Sequence, residues 1–278
     1  MQERELVLEI IIFIITFISV VLINKSKIKV KYKKKLVSFL GALNVISIFL
    51  IGTSPIDIVN FINQNYTNIG QIEDKIEIPE YDINITNIPD YEGKPYISLN
   101  GNIPSFEEKY KTNESFEHYS KLDELGRCQT AIANIGIDLM PTEKRESIGS
   151  VKPTGWHTIK YNNVDGKYLY NRSHLIGYQL TGENANKNNL ITGTRYFNVE
   201  GMLPFENMVA DYIKETKNHV LYRVTPIYEE NNLLAKGVII EAESIEDQGE
   251  GIKFNVFCYN VQPGIEINYE DGTSKLTK

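Results

Sequence analysis

The chain has 278 residues, 42% of them hydrophobic, which suits one medium domain with appendages and excludes a fibrous or fully disordered protein. Its net charge of −7 excludes binding that relies on an overall basic field. Two cysteines, Cys128 and Cys258, show no CxxC spacing, which argues against a zinc site and leaves open one disulfide or two small buried side chains.

The first element is apolar. Leu6 to Ile23 carries one charge, Glu9, and no Pro or Gly; Leu36 to Ile51 carries none. A bilayer core needs roughly 17–25 residues of helix, so the first run qualifies and the second is slightly short unless Gly52 extends it. Between them lie seven lysines, from Lys25 to Lys35, and no acid. The positive-inside bias places that loop in the cytoplasm and everything after the second run outside the cell. Residues 1–54 are therefore expected to be a transmembrane helical hairpin, touching the membrane through 6–23 and 36–52. The second run, read with the lysines before it, also resembles a signal sequence, which leaves later cleavage and release open.

Residues 55–92 are polar and rich in Asn, Ile and Asp, with Pro79 and Pro89, and read as an extracellular linker. A domain over 93–278 follows. Its short alternation at Lys94 to Leu99 predicts a strand. Ser120 to Ala133 reads as irregular. Gly155 to Tyr161 alternates and is rich in β formers, so a strand is expected, with a second from Tyr168 to Asn171. Met208 to Thr216 is helical in character, with Val209 and Ile213 on one face and Pro204 and Glu206 at its start. His219 to Pro226, Leu234 to Glu243 and Lys253 to Val261 are expected strands of one antiparallel sheet. The class is α+β.

The chemistry concentrates in Asn171-Arg172-Ser173-His174, with Asn189, Asn198 and Glu206 at offsets of 15, 24 and 32 from His174. A neutral imidazole takes a proton from water near pH 7. A hard cation such as Mg²⁺ prefers oxygen ligands, keeps several waters and needs only one or two protein donors. Arginines offset phosphate charge. These are the parts of a one-metal phosphodiesterase. His157, His118 and His219 lack such neighbours and read as structural.

This pattern resembles the DNA/RNA non-specific endonuclease family, a branch of the ββα-metal (His-Me finger) nucleases, whose Asp-Arg-Gly-His signature appears here as Asn171-Arg172-Ser173-His174. The run from Leu190 to Asn198 and then Gly201 to Asn207 is similar to the streptococcal-type secreted DNases of that family, and the likeness extends from about Tyr96 to about Tyr269. The resemblance implies an antiparallel sheet carrying a ββα-metal finger. It implies Mg²⁺, with Mn²⁺ as a substitute, held by Asn198. It implies His174 as general base, with Arg172, Asn189 and Glu206 in the catalytic set and Arg195 and Asn171 as weaker substrate contacts. The products would carry 5′-phosphate and 3′-hydroxyl ends, and DNA and RNA would be cut without sequence preference. Asn171 removes a carboxylate next to the base, and Ser173 replaces a more permissive residue.

Residues 1–35 hold a net +5, so the remainder stands near −12. Such a domain must meet nucleic acid through local cations, of which Arg172, Arg195, Lys187, Lys214 and Arg223 lie in or near the motif region. The alternative to an enzyme is a non-catalytic surface protein that binds nucleic acid or acts with a partner in DNA uptake.

Overall fold

The computed structural model describes residues 88–277. The expected membrane hairpin and most of the linker lie outside the described residues. Among the described residues no helix is long and apolar enough to cross a membrane.

In chain order the elements are β1 (Tyr96–Ser98), β2 (Phe116–Tyr119), β3 (Ala131–Ile135), β4 (Tyr170–His174), α1 (Tyr178–Thr181), β5 (Leu190–Thr194), α2 (Leu203–Thr216), β6 (Val220–Ile227), β7 (Gly237–Ser244), β8 (Lys253–Tyr259), β9 (Ile265–Ile267) and β10 (Ser274–Leu276). Six of the strands form one sheet in the order β1-β8-β7-β6-β3-β2. Every neighbouring pair in it is antiparallel. The pair β4-β5 stands apart as a two-stranded ribbon, as does the pair β9-β10. The mixed helix and antiparallel-sheet architecture matches the expected class.

Alternation along the central strands separates two environments. Val220, Tyr222 and Val224 of β6 and Val238, Ile240 and Ala242 of β7 join the main core, which α2 covers with Phe205, Val209, Ala210 and Ile213. The i, i+4, i+5, i+8 spacing of those four puts them on one helical face. Phe205, Val209 and Ile213 each contribute on the order of 2 kcal/mol, and Ala210 less. The helix starts five residues earlier than the sequence pattern indicated, with Pro204 in its first turn, where a missing N–H costs nothing.

The opposite face of β6 and β7 carries Arg223, almost wholly buried and ion-paired with the buried Glu241. Its Nη2 also donates to the carbonyl of Ser105 at 3.0 Å. Arg223 is therefore not a cation available to a substrate, contrary to the expectation from its place in the motif region: its charge is consumed inside the fold.

Two further expectations are corrected. Residues 155–161 form no strand, and their one ladder contact is the bridge between Lys160 and Tyr168. The β formers there serve instead as packing: Trp156, Ile159 and Tyr161 pack on a small cluster around Val164, Leu169 and Ile265. Conversely, part of the segment read as irregular is β3, whose five residues are all buried. Both its faces are covered, so no alternation marks it.

The cysteines are free and buried. Cys128 Sγ lies 3.2 Å from the carbonyl of Leu190, and Cys258 Sγ 3.5 Å from that of Gly201. His157 bonds the carbonyl of Asp271 at 2.9 Å, and His219 pairs with Glu246 at 2.6 Å. Both are structural.

Candidate active site

The ribbon β4-β5 and the helix that follows it hold the motif residues. In the register His174 sits opposite Leu190 and Tyr170 opposite Thr194. Asn260, at the end of β8, docks the ribbon on the main sheet. Its Oδ1 accepts from Thr194 N at 2.9 Å, and its Nδ2 donates to the carbonyls of Thr192 and Ala235 at 3.1 and 2.9 Å. Between β5 and α2 the chain winds through Phe197–Met202 as a wide π-helical turn, with Leu203 N donating to the carbonyl of Asn198. Such turns displace side chains outward and recur at functional sites. Here the turn carries Asn198, which lines the cleft described next. The unit reads strand, strand, helix, with an imidazole at the end of the first strand and Asn198 and Glu206 along the helical part.

An open cleft of about 740 Å³ runs over this unit, and His174, Arg172, Asn171, Arg195, Asn198 and Glu206 all line it. The sequence spacing therefore brings six of its seven candidates together. Asn189 is not among them. It is fully buried, its Oδ1 accepts from Ile176 N at 2.9 Å, and its Nδ2 donates to Ile176 O at 3.0 Å. Both ends of the amide are thus engaged by backbone, and a direct part in the chemistry gives way to holding the segment after His174. Lys187 and Lys214 do not line the cleft either.

His174 is 7% exposed. Its Nε2 lies 2.8 Å from the backbone carbonyl of Asn184. A carbonyl only accepts, so Nε2 carries the proton, and Nδ1 of the neutral ring keeps its lone pair. Nδ1 lies 3.4 Å from Nη2 of Arg145, another residue of the cleft wall. Burial, reinforced by the Arg145 charge against the pull of the Asn184 carbonyl, lowers the imidazole from 6.5 to about 4. The ring is therefore neutral at any ordinary pH.

Glu206 is half-buried, and desolvation raises its carboxyl to about 7, against the opposing pull of Arg145 and Gln179. Gly177 packs against it without a side chain. Arg172 is less free than its place in the motif suggests. Its Nε donates to the carbonyl of Val151, its Nη2 to that of Gly149 at 3.0 Å, and its guanidinium stacks 4.0 Å from the Trp156 ring centroid. Arg195 is held by Asp165 through Nε at 3.0 Å and Nη2 at 2.8 Å. The least committed cation of the wall is the exposed Arg145. Sequence reasoning missed it, because residues 141–150 have no periodicity. The adjacent Lys144-Arg145 pair was the only signal.

Ser173 explains how a larger residue fits at the third motif position. It is fully buried in β4, and Gly193 of β5 leaves space for its hydroxyl. That hydroxyl has no hydrogen-bond partner among the described residues. Asn171 lines the cleft, and among the described residues it makes no side-chain hydrogen bond to His174. The ring is oriented by Asn184 and Arg145, so the missing carboxylate at position 171 leaves its orientation intact.

The donor set fits a hard divalent cation. The Asn198 amide makes no hydrogen bond among the described residues and lines the cleft with the Glu206 carboxyl, offering two oxygen donors. Among the described residues no group of three or more His, Cys, Asp or Glu side chains stands together.

Comparison with known proteins gives the family. A family model described as DNA/RNA non-specific endonuclease matches residues 106–246. The chain belongs to that family. It is 31% identical over 178 residues to a deoxyribonuclease of Streptococcus dysgalactiae subsp. equisimilis, a match covering 60% of this chain and 50% of that protein. The chain thus spans about half the length of that curated relative. Among solved structures, NucA from Streptococcus agalactiae with a magnesium ion bound superposes with a TM-score of 0.61 at 25% identity, over 69% of this chain and 92% of that one. The Sda1 nuclease with bound zinc superposes with a TM-score of 0.54 at 28% identity, over 66% and 97%.

Proposed function

We propose that the protein is a divalent-metal-dependent endonuclease that hydrolyses DNA and RNA without sequence preference, leaving 5′-phosphate and 3′-hydroxyl ends. The observation that carries this reading is the His174–Asn184 hydrogen bond, which fixes the proton on Nε2 and so puts the basic lone pair on Nδ1, the atom that faces Arg145 Nη2 at 3.4 Å. His174 Nδ1 takes the proton of a water attacking the phosphorus in line with the P–O3′ bond. Arg145, with the uncommitted part of Arg172, offsets charge on the non-bridging oxygens. A Mg²⁺ ion, held by Asn198 with Glu206 orienting its waters, would supply charge neutralisation at the phosphate and the leaving oxygen.

Charge placement supports an enzyme that binds loosely. The residues after Lys35 stand near −12, yet the cleft wall carries Arg145, Arg172 and Arg195 against one acid, Glu206. Local cations admit a phosphate, while the surrounding field disfavours long residence. The full-length protein should degrade plasmid in Mg²⁺, and EDTA or His174→Ala should stop it. Binding of plasmid without any cleavage in Mg²⁺ or Mn²⁺ would instead favour the non-catalytic reading.

The same proposal includes location. The two apolar runs and the lysine loop between them support a membrane hairpin with a cytoplasmic turn, which leaves residues 55–92 as a tether and the nuclease outside the cell. There a sequence-blind enzyme meets foreign nucleic acid and is kept from the cell's own chromosome. Protease added to intact cells should remove the C-terminal domain. Digestion only after lysis would reverse the orientation.

A further inference from the structure

The cleft holds more than the hydrolytic residues. On the wall leading to β4, Tyr168 is 48% exposed, among the most open large hydrophobic side chains of the described residues. Lys160, its bridge partner, places Nζ 4.4 Å from the ring centroid. On the same wall Trp156 is backed by the Arg172 guanidinium. Two aromatic rings, each with a cation on one face, thus border a cleft in an otherwise acidic domain.

Packing accounts for Trp156 but not for Tyr168. A tyrosine half in water is tolerable, but this one sits six residues before His174, at most about 20 Å along an extended chain. That is a distance of several nucleotides. A base in a duplex has both faces covered by its neighbours, so a ring on a cleft wall meets only sugar and phosphate. An unpaired base can turn its face onto the ring, and aromatic stacking of this kind tolerates any base. Lys160 beside the ring suits the phosphate of the same nucleotide.

We propose that Tyr168 is a stacking subsite for an unpaired base, so that the cleft takes single-stranded nucleic acid in preference to duplex. This deepens the nuclease reading of the same cleft and rests on it. Stacking also resolves the charge problem: affinity comes from π-faces, which the acidic surroundings do not oppose. Trp156, half-buried and already stacked, serves as the fixed wall behind the motif arginine.

The test is binding of the full-length protein in detergent, in EDTA so that substrate stays intact. One probe is a short single-stranded oligodeoxynucleotide with 2-aminopurine placed successively along it; the other is its duplex. Wild type should bind the single strand more tightly and quench 2-aminopurine at one position. Tyr168→Ala should lower the ratio of single-strand to duplex affinity by roughly tenfold and abolish the quench, and Tyr168→Phe should restore both. Equal affinity of wild type for both forms, or a ratio unchanged in Tyr168→Ala, would overturn the proposal. Because cleavage is not needed, an inactive protein that still shows the Tyr168-dependent ratio upholds the stacking and strikes the nuclease reading alone.

Discussion

Gly177 and Glu206 are in such close contact that a Cβ on Gly177 would stand 2.6 Å from Glu206 Oε2. The backbone of Gly177 has an ordinary negative φ of −58°, so a Cβ there is opposed by space and not by conformation, and the Glu206 carboxyl is the group that would have to shift. The Glu206 carboxyl of α2 thus lies against the turn that follows His174.

Gly177→Ala should therefore push the Glu206 carboxyl out of place and cut kcat, on the order of 10²-fold for a displacement of about 1 Å. The double variant with Glu206→Gln should be no worse than Glu206→Gln alone, since both act through one group. Steady-state kinetics on all three decide it, and additive losses would separate the two residues.

Activity should persist well into acid. Burial holds the His174 imidazole near 4, so the acid limb of kcat/KM should have its midpoint well below 6.5. The same depression affects stability. The unfolded chain protonates at 6.5 and the folded one only near 4, so this contribution is full above 6.5 and is lost as pH falls through 4. Its ceiling is roughly 3 kcal/mol. Urea titrations of wild type and His174→Asn should therefore run together above 6.5 and separate as pH falls towards 4, with wild type losing stability that the variant keeps; parallel curves would mean that His174 titrates normally.

Glu206 acts with the opposite sign. Its folded value is raised from 4.5 to about 7, so its contribution is present below 4.5 and lost as pH rises through 7. In EDTA, Glu206→Gln should unfold at a higher temperature than wild type at pH 8 and at a similar one at pH 4.5, while losing activity. Equal melting at both pH values would show that the carboxyl is not desolvated.

Asn189→Ala separates holding from chemistry. It leaves the N–H and C=O of Ile176 without partners inside the fold, at about 1–3 kcal/mol each. Stability and kcat should fall together. A variant as stable as wild type but inactive would return Asn189 to the catalytic set.

Asn198→Ala should raise the Mg²⁺ concentration needed for half-maximal activity and lower the maximum, because one of few protein oxygens available to the ion is removed. An unchanged Mg²⁺ titration would move the metal elsewhere.

The residues that share the cleft were legible because their spacing follows the chain: His174 ends a strand, and Asn198 and Glu206 ride the helical part that the partner strand leads into. Helix α2 was legible from its apolar face. What stayed hidden has physical reasons. Arg145 comes from a loop whose position depends on Arg172 and Tyr178 reaching its carbonyls, at Gly149 and Glu143. The alternating residues 155–161 looked like a strand because β formers also suit a wall of stacked side chains. Asn189 matched the family spacing, but spacing cannot tell an amide that meets substrate from one that meets backbone. Ser173 raised a doubt that the strand partner dissolves, since Gly193 supplies the missing room.

The two thiols carry a consequence of their own. Burial pushes Cys128 up to about 12 and raises Cys258 as well, so neither forms the thiolate that oxidants and alkylating agents attack. With no cross-link to form, the described domain gains nothing from an oxidising environment and loses nothing in a reducing one. It can mature in either setting, and its working state is the same in both chemistries.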